Sequence, residues 1–261
     1  MEPLARLPTS VLARLEGVVF DVDDTVTRDG RLEREAFDAM WCLHDAGVAL
    51  MAVTGRPLGW CDVWARTWPI VAAVGENGAG WVWRDGKGIH EGYAYPDAAR
   101  AEQAARLARV RRRVAEALPH VPVAGDQRAR RCDLAFDVGE THRLDEPDID
   151  RVVACIEAEG ARAVVSSVHA HAAPGDWDKA RGAVGAARDA LAVDLAAARA
   201  RWLFVGDSGN DQAAFRWFEH TVGVANVRAA LDRLSDPPQY VTGADRGQGF
   251  AELAARVLDA R

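Results

Sequence analysis

Asp21, Asp23 and Asp24 stand close together in the sequence DVDDT, directly after the apolar segment 17–20. Such a segment has the composition of a buried strand, and in open α/β sheets ligands bind beyond the carboxyl ends of the strands. Carboxylates this close repel one another unless a cation is present, and Mg²⁺ is the hard divalent ion that best suits oxygen ligands. The pattern therefore predicts a magnesium site, although a polar turn with a helix cap would also explain it.

A second acidic motif, GDSGND at residues 206–211, also follows an apolar segment. Its two glycines allow a tight turn. Asp207 then ends one strand and Asp211 begins the next helix, so both carboxylates could face the same metal ion as Asp21. The alternative is an ordinary turn rich in Asp and Asn, but this motif is the most specific signal in the chain.

Two further residues have the chemistry to bind phosphate. Thr54 begins the sequence TGR after the apolar segment 48–53, where a hydroxyl and backbone N–H groups can hold phosphate oxygens, although Thr-Gly is also a common strand exit. Lys179 is one of only two lysines in a chain with 32 basic residues, and its place at a helix start opposes the helix dipole. We predict that it neutralises a carboxylate and a phosphate, the alternative being an ordinary surface lysine.

The segments that carry these motifs alternate between strands and helices. Buried strands are predicted at residues 17–21, 48–53, 70–74, 202–205 and 222–225, and helices at residues 31–46, 57–68, 178–191, 211–218 and 248–259. This alternation is typical of an α/β fold with a doubly wound, mostly parallel, Rossmann-like sheet. Residues 84–174 differ, because a hairpin turn, long helices and further strands follow one another there over a length too great for a bare loop. We predict a core at residues 1–83 and 175–261 and an inserted α+β domain at residues 84–174.

Together the four motifs resemble those of the haloacid dehalogenase (HAD) superfamily of phosphohydrolases, in the order DVDDT, TG, K and GDSGND. The resemblance covers about residues 15–80 and 175–245. The insert lies between the second and third motifs, which is the position of the family's C2 cap domain. The stretches 54–57 and 75–79 resemble the C2B or Cof-like branch, which includes sugar-phosphate phosphatases and phosphomannomutases. Asp24 departs from that branch, because glycine usually stands there.

The resemblance implies a role for each motif residue. Asp21 would be the nucleophile that forms an aspartyl-phosphate, and Asp23 the general acid and then the general base. Mg²⁺ would be the cofactor, held by the Asp21 carboxylate, the Asp23 backbone carbonyl and Asp207, while Asp211 would support the metal directly or through another ligand. Thr54 and Lys179 would bind the transferring phosphoryl oxygens. The implied substrate-binding residues are Thr54, Gly55, Arg56, Asn77 and Lys179.

These roles imply a magnesium-dependent phosphatase that hydrolyses a small phosphorylated metabolite, and we expect a sugar phosphate. A phosphomutase or phosphotransferase of the same fold stays open, because it differs only in the fate of the phosphoryl group. A non-catalytic phosphosugar-binding regulatory protein would predict damage to the acidic motifs, and none is seen. Asp23 argues against carbon–halogen cleavage, because the dehalogenase branch lacks this second aspartate.

Composition limits the partners that we expect. The formal net charge is -7, which gives no general support for nucleic-acid binding, and the arginine run at residues 109–113 fits a solvated helix face. Arg6, Pro8 and Arg14 interrupt any signal-peptide core, and no apolar run is long enough to span a membrane. We therefore expect a cytoplasmic protein without membrane partners, and the sequence does not indicate an oligomeric state.

Two smaller patterns involve histidine and tryptophan residues. His169 and His171 would share one face if a strand continued through them. We interpret them as linker histidines, with contact to the substrate as the alternative. Trp60, Trp64 and Trp68 recur at helical spacing, which indicates core packing rather than a platform for a sugar.

Overall fold

The computed structural model describes residues 1–166 and 168–261. Its longer strands form where the sequence has continuous apolar segments, which is typical of strands that are buried on both faces. The strands are β1 (Glu2–Pro3), β2 (Gly17–Phe20), β3 (Thr27–Arg28), β4 (Arg31–Leu32), β5 (Ala49–Val53), β6 (Ala72–Gly75), β7 (Gly80–Asp85), β8 (Gly88–Tyr93), β9 (Leu134–Asp137), β10 (Arg162–Val165), β11 (His169–Ala173), β12 (Trp202–Gly206), β13 (His220–Gly223) and β14 (Tyr240–Val241).

Helices follow most of the long strands, as the alternating pattern predicts. The α-helices are α1 (Thr9–Leu12), α2 (Arg34–Asp45), α3 (Leu58–Thr67), α4 (Asp97–Ala117), α5 (Glu146–Ala158), α6 (Lys179–Leu191), α7 (Gln212–Trp217) and α8 (Arg246–Asp259). Shorter 3₁₀ turns occupy Leu4–Arg6, Glu76–Gly78, Gln127–Ala129, Arg199–Arg201, Gly209–Asp211 and Ala225–Arg233.

The core of the molecule is a sheet with the strand order β1-β14-β13-β12-β2-β5-β6-β7-β8. Pairing is parallel from β1 to β6 and antiparallel for β7 and β8. In the central register Phe20 lies opposite both Val205 and Ala52, so β2, β5 and β12 end at the same edge of the sheet. The prediction of a doubly wound, mostly parallel sheet is confirmed.

Helices cover both faces of this sheet, because successive strand residues point to opposite sides. On β2, Phe20 packs into one apolar cluster together with Phe250 of α8. Val19 packs into the other cluster, with Ala183 of α6. The site at the strand ends is therefore carried by a sheet that is fixed from both sides.

A second, smaller sheet has the order β10-β11-β9 and is antiparallel. It packs with helices α4 and α5 around its own apolar cluster, which includes Val110, Phe136 and Ile156. In the described residues this sheet does not pair with the core sheet. All of these elements lie within residues 97–173.

The predicted boundary of the insert at residue 84 is wrong. The hairpin of β7 and β8 extends the edge of the core sheet, with Trp81 paired opposite Val74 of β6. Burial explains the pairing, because Trp81 and Val82 are 4% and 0% exposed and Trp81 donates a hydrogen bond to Asp189 of α6 at 2.9 Å. The hairpin thus packs on the core, and the smaller sheet with its helices follows it.

Two surface patterns have different outcomes. Arg109 and Arg113 pair with Glu159 on the surface of the smaller unit, as expected of a solvated helix face. The tryptophans of α3 and of the residue that follows it pack less deeply than predicted: Trp64 and Trp68 are partly buried and stacked, whereas Trp60 is 37% exposed. No helix in the described part of the chain has the length and hydrophobicity to cross a membrane.

Candidate functional site

Three buried carboxylates meet at the carboxyl edge of the core sheet. Asp21 follows β2, Asp207 follows β12, and Asp211 ends the 3₁₀ turn Gly209–Asp211. One carboxylate oxygen from each lies within 4.8 Å of the others, and all three residues are buried. The structure thus brings together the two acidic motifs that the sequence singled out.

Lys179, the first residue of α6, lies inside this cluster and not on the surface. Its Nζ donates to Oδ1 of Asp21 at 2.5 Å and to Oδ1 of Asp211 at 2.6 Å, and its side chain is fully buried. Burial acts to lower the pKa of Lys179, but the two carboxylates outweigh it and raise this pKa above its usual range. The lysine is therefore a fixed positive charge.

The donor set fits a divalent cation. Three carboxylates face one ammonium group, so two negative charges stay uncompensated when all four groups are ionised. Burial raises the pKa of Asp21 to about 7 despite the opposing effect of Lys179. Burial, and then the neighbouring Asp21 and Asp211, raise the pKa of Asp207 well above its usual value. A bound cation would relieve this repulsion and keep the carboxylates ionised.

Asp207 and Asp211 are held in place by different partners. Thr25 donates to Oδ1 of Asp207 at 3.3 Å, and Asn226 donates to its Oδ2 at 3.0 Å. Asp211 receives Lys179 on Oδ1, and on Oδ2 the backbone N–H groups of Asp207 and Ser208 at 2.9 and 3.0 Å. Among the described residues Asp211 accepts three hydrogen bonds, Asp207 two and Asp21 one, so Asp21 and Asp207 keep more lone pairs for a cation.

The carboxylate of Asp23 does not join the acidic cluster. It pairs instead with the Arg56 guanidinium, whose Nε lies 2.9 Å from Oδ2 and whose Nη2 lies 2.8 Å from Oδ1. The same small cavity is lined by both Asp21 and Asp23. Its side chain is therefore held by Arg56 and lies outside the acidic cluster, while the metal role of its backbone carbonyl stays a prediction.

Thr54, Gly55 and Asn77 shape the floor of this region. Thr54 is fully buried and accepts the Arg56 N–H on its hydroxyl at 3.0 Å. Asn77 is 3% exposed, and its Nδ2 has no hydrogen-bond partner among the described residues. A Cβ on Gly55 would lie 3.4 Å from the Asn77 amide and 3.2 Å from Nε2 of His171, so a side chain would crowd this space. An unpaired buried amide donor next to an open backbone is suited to an anionic oxygen.

Arg56 was expected to contact the substrate, but its guanidinium is already taken by carboxylates. Besides Asp23, it binds Glu140 at 2.7 Å and Asp126 at 3.5 Å, and it lies over the ring of Trp60 at 4.9 Å. Glu140 and Asp126 belong to the smaller unit, so Arg56 links the two parts of the chain at the site. The expected direct contact with substrate is not what this geometry shows.

The interpretation of His169 and His171 as linker residues is wrong. Both lie on β11, the middle strand of the smaller sheet, and each is 1% exposed. Together with Ser166 and Val168 they line the cavity opposite Asp21. The alternating sequence HAHAA carried the signal, since alternate residues of a strand share a face.

Other residues of the site gave weaker signals in the sequence. Asn226, which follows β13, holds Asp207 and also donates to the Asp24 carbonyl at 2.9 Å. Beside the acidic cluster a wider cleft of about 720 Å³ opens between β10 and the core, and its lining includes Asp207 and Lys179. This cleft provides room for solvent and substrate to reach the carboxylates.

Asp24, where the resemblance led us to expect glycine, has a left-handed backbone with φ of 56°. Glycine adopts this conformation without strain, and aspartate is among the residues that tolerate it. Its carboxylate accepts a hydrogen bond from Arg246 at 2.8 Å. Asp24 thus fits this left-handed turn and adds an ion pair.

Comparison with known proteins supports this reading of the fold. No protein-family model matches this sequence, and neither does any curated protein. Among solved structures, a protein from Thermoplasma acidophilum aligns over 95% of this chain and 99% of its own, with 18% identity and a TM-score of 0.70. The sucrose-phosphatase of Synechocystis, solved with sucrose and phosphate, aligns over 94% and 98%, with 15% identity and a TM-score of 0.65. A sugar phosphatase of HAD subclass IIB aligns over 94% and 100%, with 16% identity and a TM-score of 0.62.

These similarities extend over nearly the whole of each chain, so they include the smaller unit as well as the core sheet. The identities are low, and what they establish is the architecture. This chain shares its overall fold with these solved structures, one of which is a sugar phosphatase of HAD subclass IIB.

Proposed function

We propose that this protein is a magnesium-dependent phosphatase that hydrolyses a small phosphate monoester, a sugar phosphate, through an aspartyl-phosphate on Asp21. The main observation behind the proposal is that two aspartates line the same cavity. Asp21 is fixed by Lys179 through Oδ1, and Asp23 is fixed by Arg56 on the same cavity. One carboxylate is thus placed to attack a phosphorus atom and the other to exchange a proton with the leaving oxygen.

Asp21 would act as the nucleophile. Its Oδ1 accepts from Lys179, and its Oδ2 has no hydrogen-bond partner within the residues that the structure describes. Oδ2 would attack phosphorus, forming the Asp21–phosphate bond as the ester bond breaks. Lys179, the Thr54 hydroxyl and the unpaired Nδ2 of Asn77 would bind the phosphoryl oxygens and reduce their negative charge.

Asp23 would move the protons. It would donate one to the leaving oxygen in the first step and take one from the attacking water in the second step. The second step releases inorganic phosphate and restores Asp21. Arg56 holds the Asp23 carboxylate in one orientation on the cavity, so its role is to position the acid.

Asp21 and Asp207 would hold the Mg²⁺ ion, with the Asp23 backbone carbonyl as a third protein ligand. Asp211, Asn226 and Thr25 would orient these ligands through the hydrogen bonds described above. When bound, the ion would neutralise phosphoryl charge and reduce repulsion between the substrate and Asp21.

Residues 97–173 would form a cap over the core, with the core made of residues 1–96 and 174–261. The cap supplies the cavity wall opposite Asp21, and its contacts to the core at Arg56 are polar. The choice of a sugar phosphate rests on this polar wall and on the fold shared with two sugar-acting phosphatases.

Phosphate release tests the proposal. The protein should liberate inorganic phosphate from p-nitrophenyl phosphate and from members of a sugar-phosphate panel. Asp21→Asn should lower kcat by at least about 1,000-fold, because the amide is nearly isosteric but a poor nucleophile. Asp45→Asn, on the exposed end of α2, is the matched control and should keep wild-type activity. Wild-type turnover by folded Asp21→Asn would contradict the covalent mechanism, and phosphoryl transfer to a second sugar without phosphate release would favour the mutase alternative.

Metal removal is a separate test. We expect EDTA to abolish activity, Mg²⁺ to restore it and Ca²⁺ to fail, because Ca²⁺ takes more ligands at longer distances and would misplace the attacking carboxylate. The measurement is phosphate release after dialysis against chelator, with each ion added back. Full activity after exhaustive chelation would count against the metal site.

A further inference from the structure

The wall of the cavity that Asp21 lines contains two histidines, and each has hydrogen-bond partners at one ring nitrogen. His169 uses Nε2, which lies 2.9 Å from Oε2 of Glu140. His171 is anchored on its other side, with Nδ1 2.8 Å from Oδ2 of Asp133. Among the described residues no hydrogen-bond partner is found for Nε2 of His171. The rings therefore differ in which nitrogen is left for a ligand, and Nε2 of His171 is the one that lies beside the backbone of Gly55.

The partners of His171 determine which nitrogen carries the proton. Arg130 binds Oδ1 of Asp133 at 3.0 Å and the backbone carbonyl of Gly55 at 2.9 Å. Burial acts to raise the pKa of Asp133, but Arg130 and His171 outweigh it and hold this pKa below its usual value. Nη1 of Arg130 also lies 3.4 Å from Nδ1 of His171, but the contact of Nδ1 with Asp133 is much shorter at 2.8 Å. Because an ionised Asp133 only accepts hydrogen bonds, we assign Nδ1 as the donor to Asp133.

The remaining nitrogen is then an acceptor. Burial lowers the pKa of His171, which favours the neutral ring. In the neutral ring with Nδ1 protonated, Nε2 carries a lone pair. This nitrogen lies 3.2 Å from the position that a Cβ on Gly55 would take, beside Thr54 and on the cavity that Asp21 and Asp23 line. A phosphoryl oxygen has only lone pairs and would be repelled there, whereas a hydroxyl could donate.

We propose that His171 is a specificity-determining residue, whose Nε2 accepts a hydrogen bond from a hydroxyl of the leaving group next to the ester oxygen. The proposal rests on the proposed phosphatase function and names the substrate class within it: monoesters whose leaving group is hydroxylated beside the ester. Arg56 and Arg130 lie behind residues that line this cavity and are both bound to carboxylates, so they offer no unpaired cation to an anionic group next to the ester. The favoured group at this position is therefore an uncharged hydroxyl.

A matched substrate pair tests the assignment. Propyl phosphate and 2-hydroxypropyl phosphate differ by one hydroxyl, and the wild-type protein should prefer the hydroxylated ester at least about tenfold in kcat/KM, since a buried acceptor left unpaired penalises the analogue. In His171→Phe this ratio should fall to about 1. His171→Gln keeps an acceptor and should retain part of the preference. His120→Gln, an exposed histidine of the smaller unit, is the control and should keep the wild-type ratio.

The tautomer offers a second measurement that needs no substitution at the site. ¹⁵N NMR of the histidine-labelled protein should show His171 as neutral with the proton on Nδ1. A proton on Nε2, a wild-type ratio near 1, or an unchanged ratio in folded His171→Phe would each overturn the proposal. These results are distinct from failure of the proposed function, which would appear as no phosphate release from any ester, including p-nitrophenyl phosphate.

Discussion

At the residue scale, the polar side chains at the carboxyl edge of the core sheet hold one another in place through hydrogen bonds. Lys179 joins Asp21 to Asp211, and Asn226 joins the Asp24 carbonyl to Asp207. The left-handed turn at Asp24 therefore connects directly to the carboxylate that we assign to the metal. A change in one of these residues should be felt at the site through geometry as well as through charge.

Substitutions of Asp24 should separate backbone conformation from the ion pair. Asp24→Gly relieves the strain of φ at 56° but removes the partly exposed pair with Arg246, and these effects are each about 1 kcal/mol with opposite sign. We expect stability close to wild type and most of the activity retained. Asp24→Val should lose about 2 kcal/mol, because a β-branched residue resists this conformation. Urea unfolding measures both, and equal losses in the two variants would show that the ion pair, not the backbone, matters.

Lys179 should contribute to stability as well as to phosphoryl binding. Lys179→Met leaves buried carboxylates without their counter-ion, so the free energy of unfolding should drop by about 3 kcal/mol and activity should be lost. Mg²⁺ should recover part of the stability, since it supplies positive charge to the same cluster. Lys87→Met is the matched control, because Lys87 is the other lysine of the chain and is exposed in the β7–β8 turn. A stability of Lys179→Met equal to that of Lys87→Met would contradict this account.

At the element scale, an ion pair joins the loop after β9 to the loop after β5. Glu140 binds Arg56 at 2.7 Å and His169 at 2.9 Å, so one carboxylate connects the smaller sheet to the core. Glu76, in the 3₁₀ turn after β6, adds a second connection. Its carboxylate accepts backbone N–H groups from Leu58 of the core at 3.0 Å and from Cys132 and Asp133 of the smaller unit at 2.6 and 2.9 Å. In both connections a glutamate carboxylate accepts the hydrogen bonds from the core and from the smaller unit.

The Glu140 connection should weaken in acid. The hydrogen bond from His169, supported by Arg56, lowers the pKa of Glu140 to about 2 from 4.5. Because the folded pKa is depressed, this stabilisation is fully present above about pH 4.5 and is lost as the pH falls towards 2. The difference in unfolding free energy between wild type and Glu140→Gln should therefore shrink from pH 6 to pH 3. Denaturant unfolding across this range measures it, with the exposed Glu102→Gln as control, and a difference independent of pH would argue against the contact.

The elements that the sequence predicted well are those with a strong local pattern. Strands β2, β5 and β12 are buried on nearly all positions, so their apolar segments were unambiguous, and the parallel order placed Asp21, Thr54 and Asp207 at one edge. β1 and β14 have two residues each, too few to show a period. The pairing of Arg56 with Glu140 spans 84 positions of sequence, and no local pattern encodes such a contact. The hairpin of β7 and β8 was recognised, but its partner strand was not, because turn residues do not specify which sheet a hairpin joins.

At the scale of the whole molecule, the smaller unit is attached to the core by two linkers whose ends meet. The rings of Tyr95 and Trp177 lie 5.9 Å apart, and the Tyr95 hydroxyl accepts the Asp176 N–H at 3.1 Å. Trp177 also donates to the Glu76 carbonyl at 3.1 Å. Across the site Arg56 pairs with Glu140 and Arg130 donates to the Gly55 carbonyl. Cys132 and Ala173 of the smaller unit also pack into the apolar cluster of the core, so the two parts are joined by both polar and apolar contacts.

Replacing the smaller unit with a short linker should test where this unit begins and ends, and whether it determines substrate specificity. Because the linker ends are adjacent, a Gly/Ser segment in place of residues 97–173 should leave a folded core that keeps β8, binds Mg²⁺ and slowly hydrolyses p-nitrophenyl phosphate. It should lose discrimination among sugar phosphates, because the wall formed by His169 and His171 is gone. Replacing residues 84–174 instead removes β8 and uncovers the buried face of Trp81, so this version should aggregate. Calorimetry with Mg²⁺, size-exclusion chromatography and phosphate release compare the two. The boundary after β8 is misplaced if the protein lacking residues 97–173 also aggregates, or if the protein lacking residues 84–174 folds equally well. If the core alone still distinguishes sugar phosphates, specificity does not come from the smaller unit.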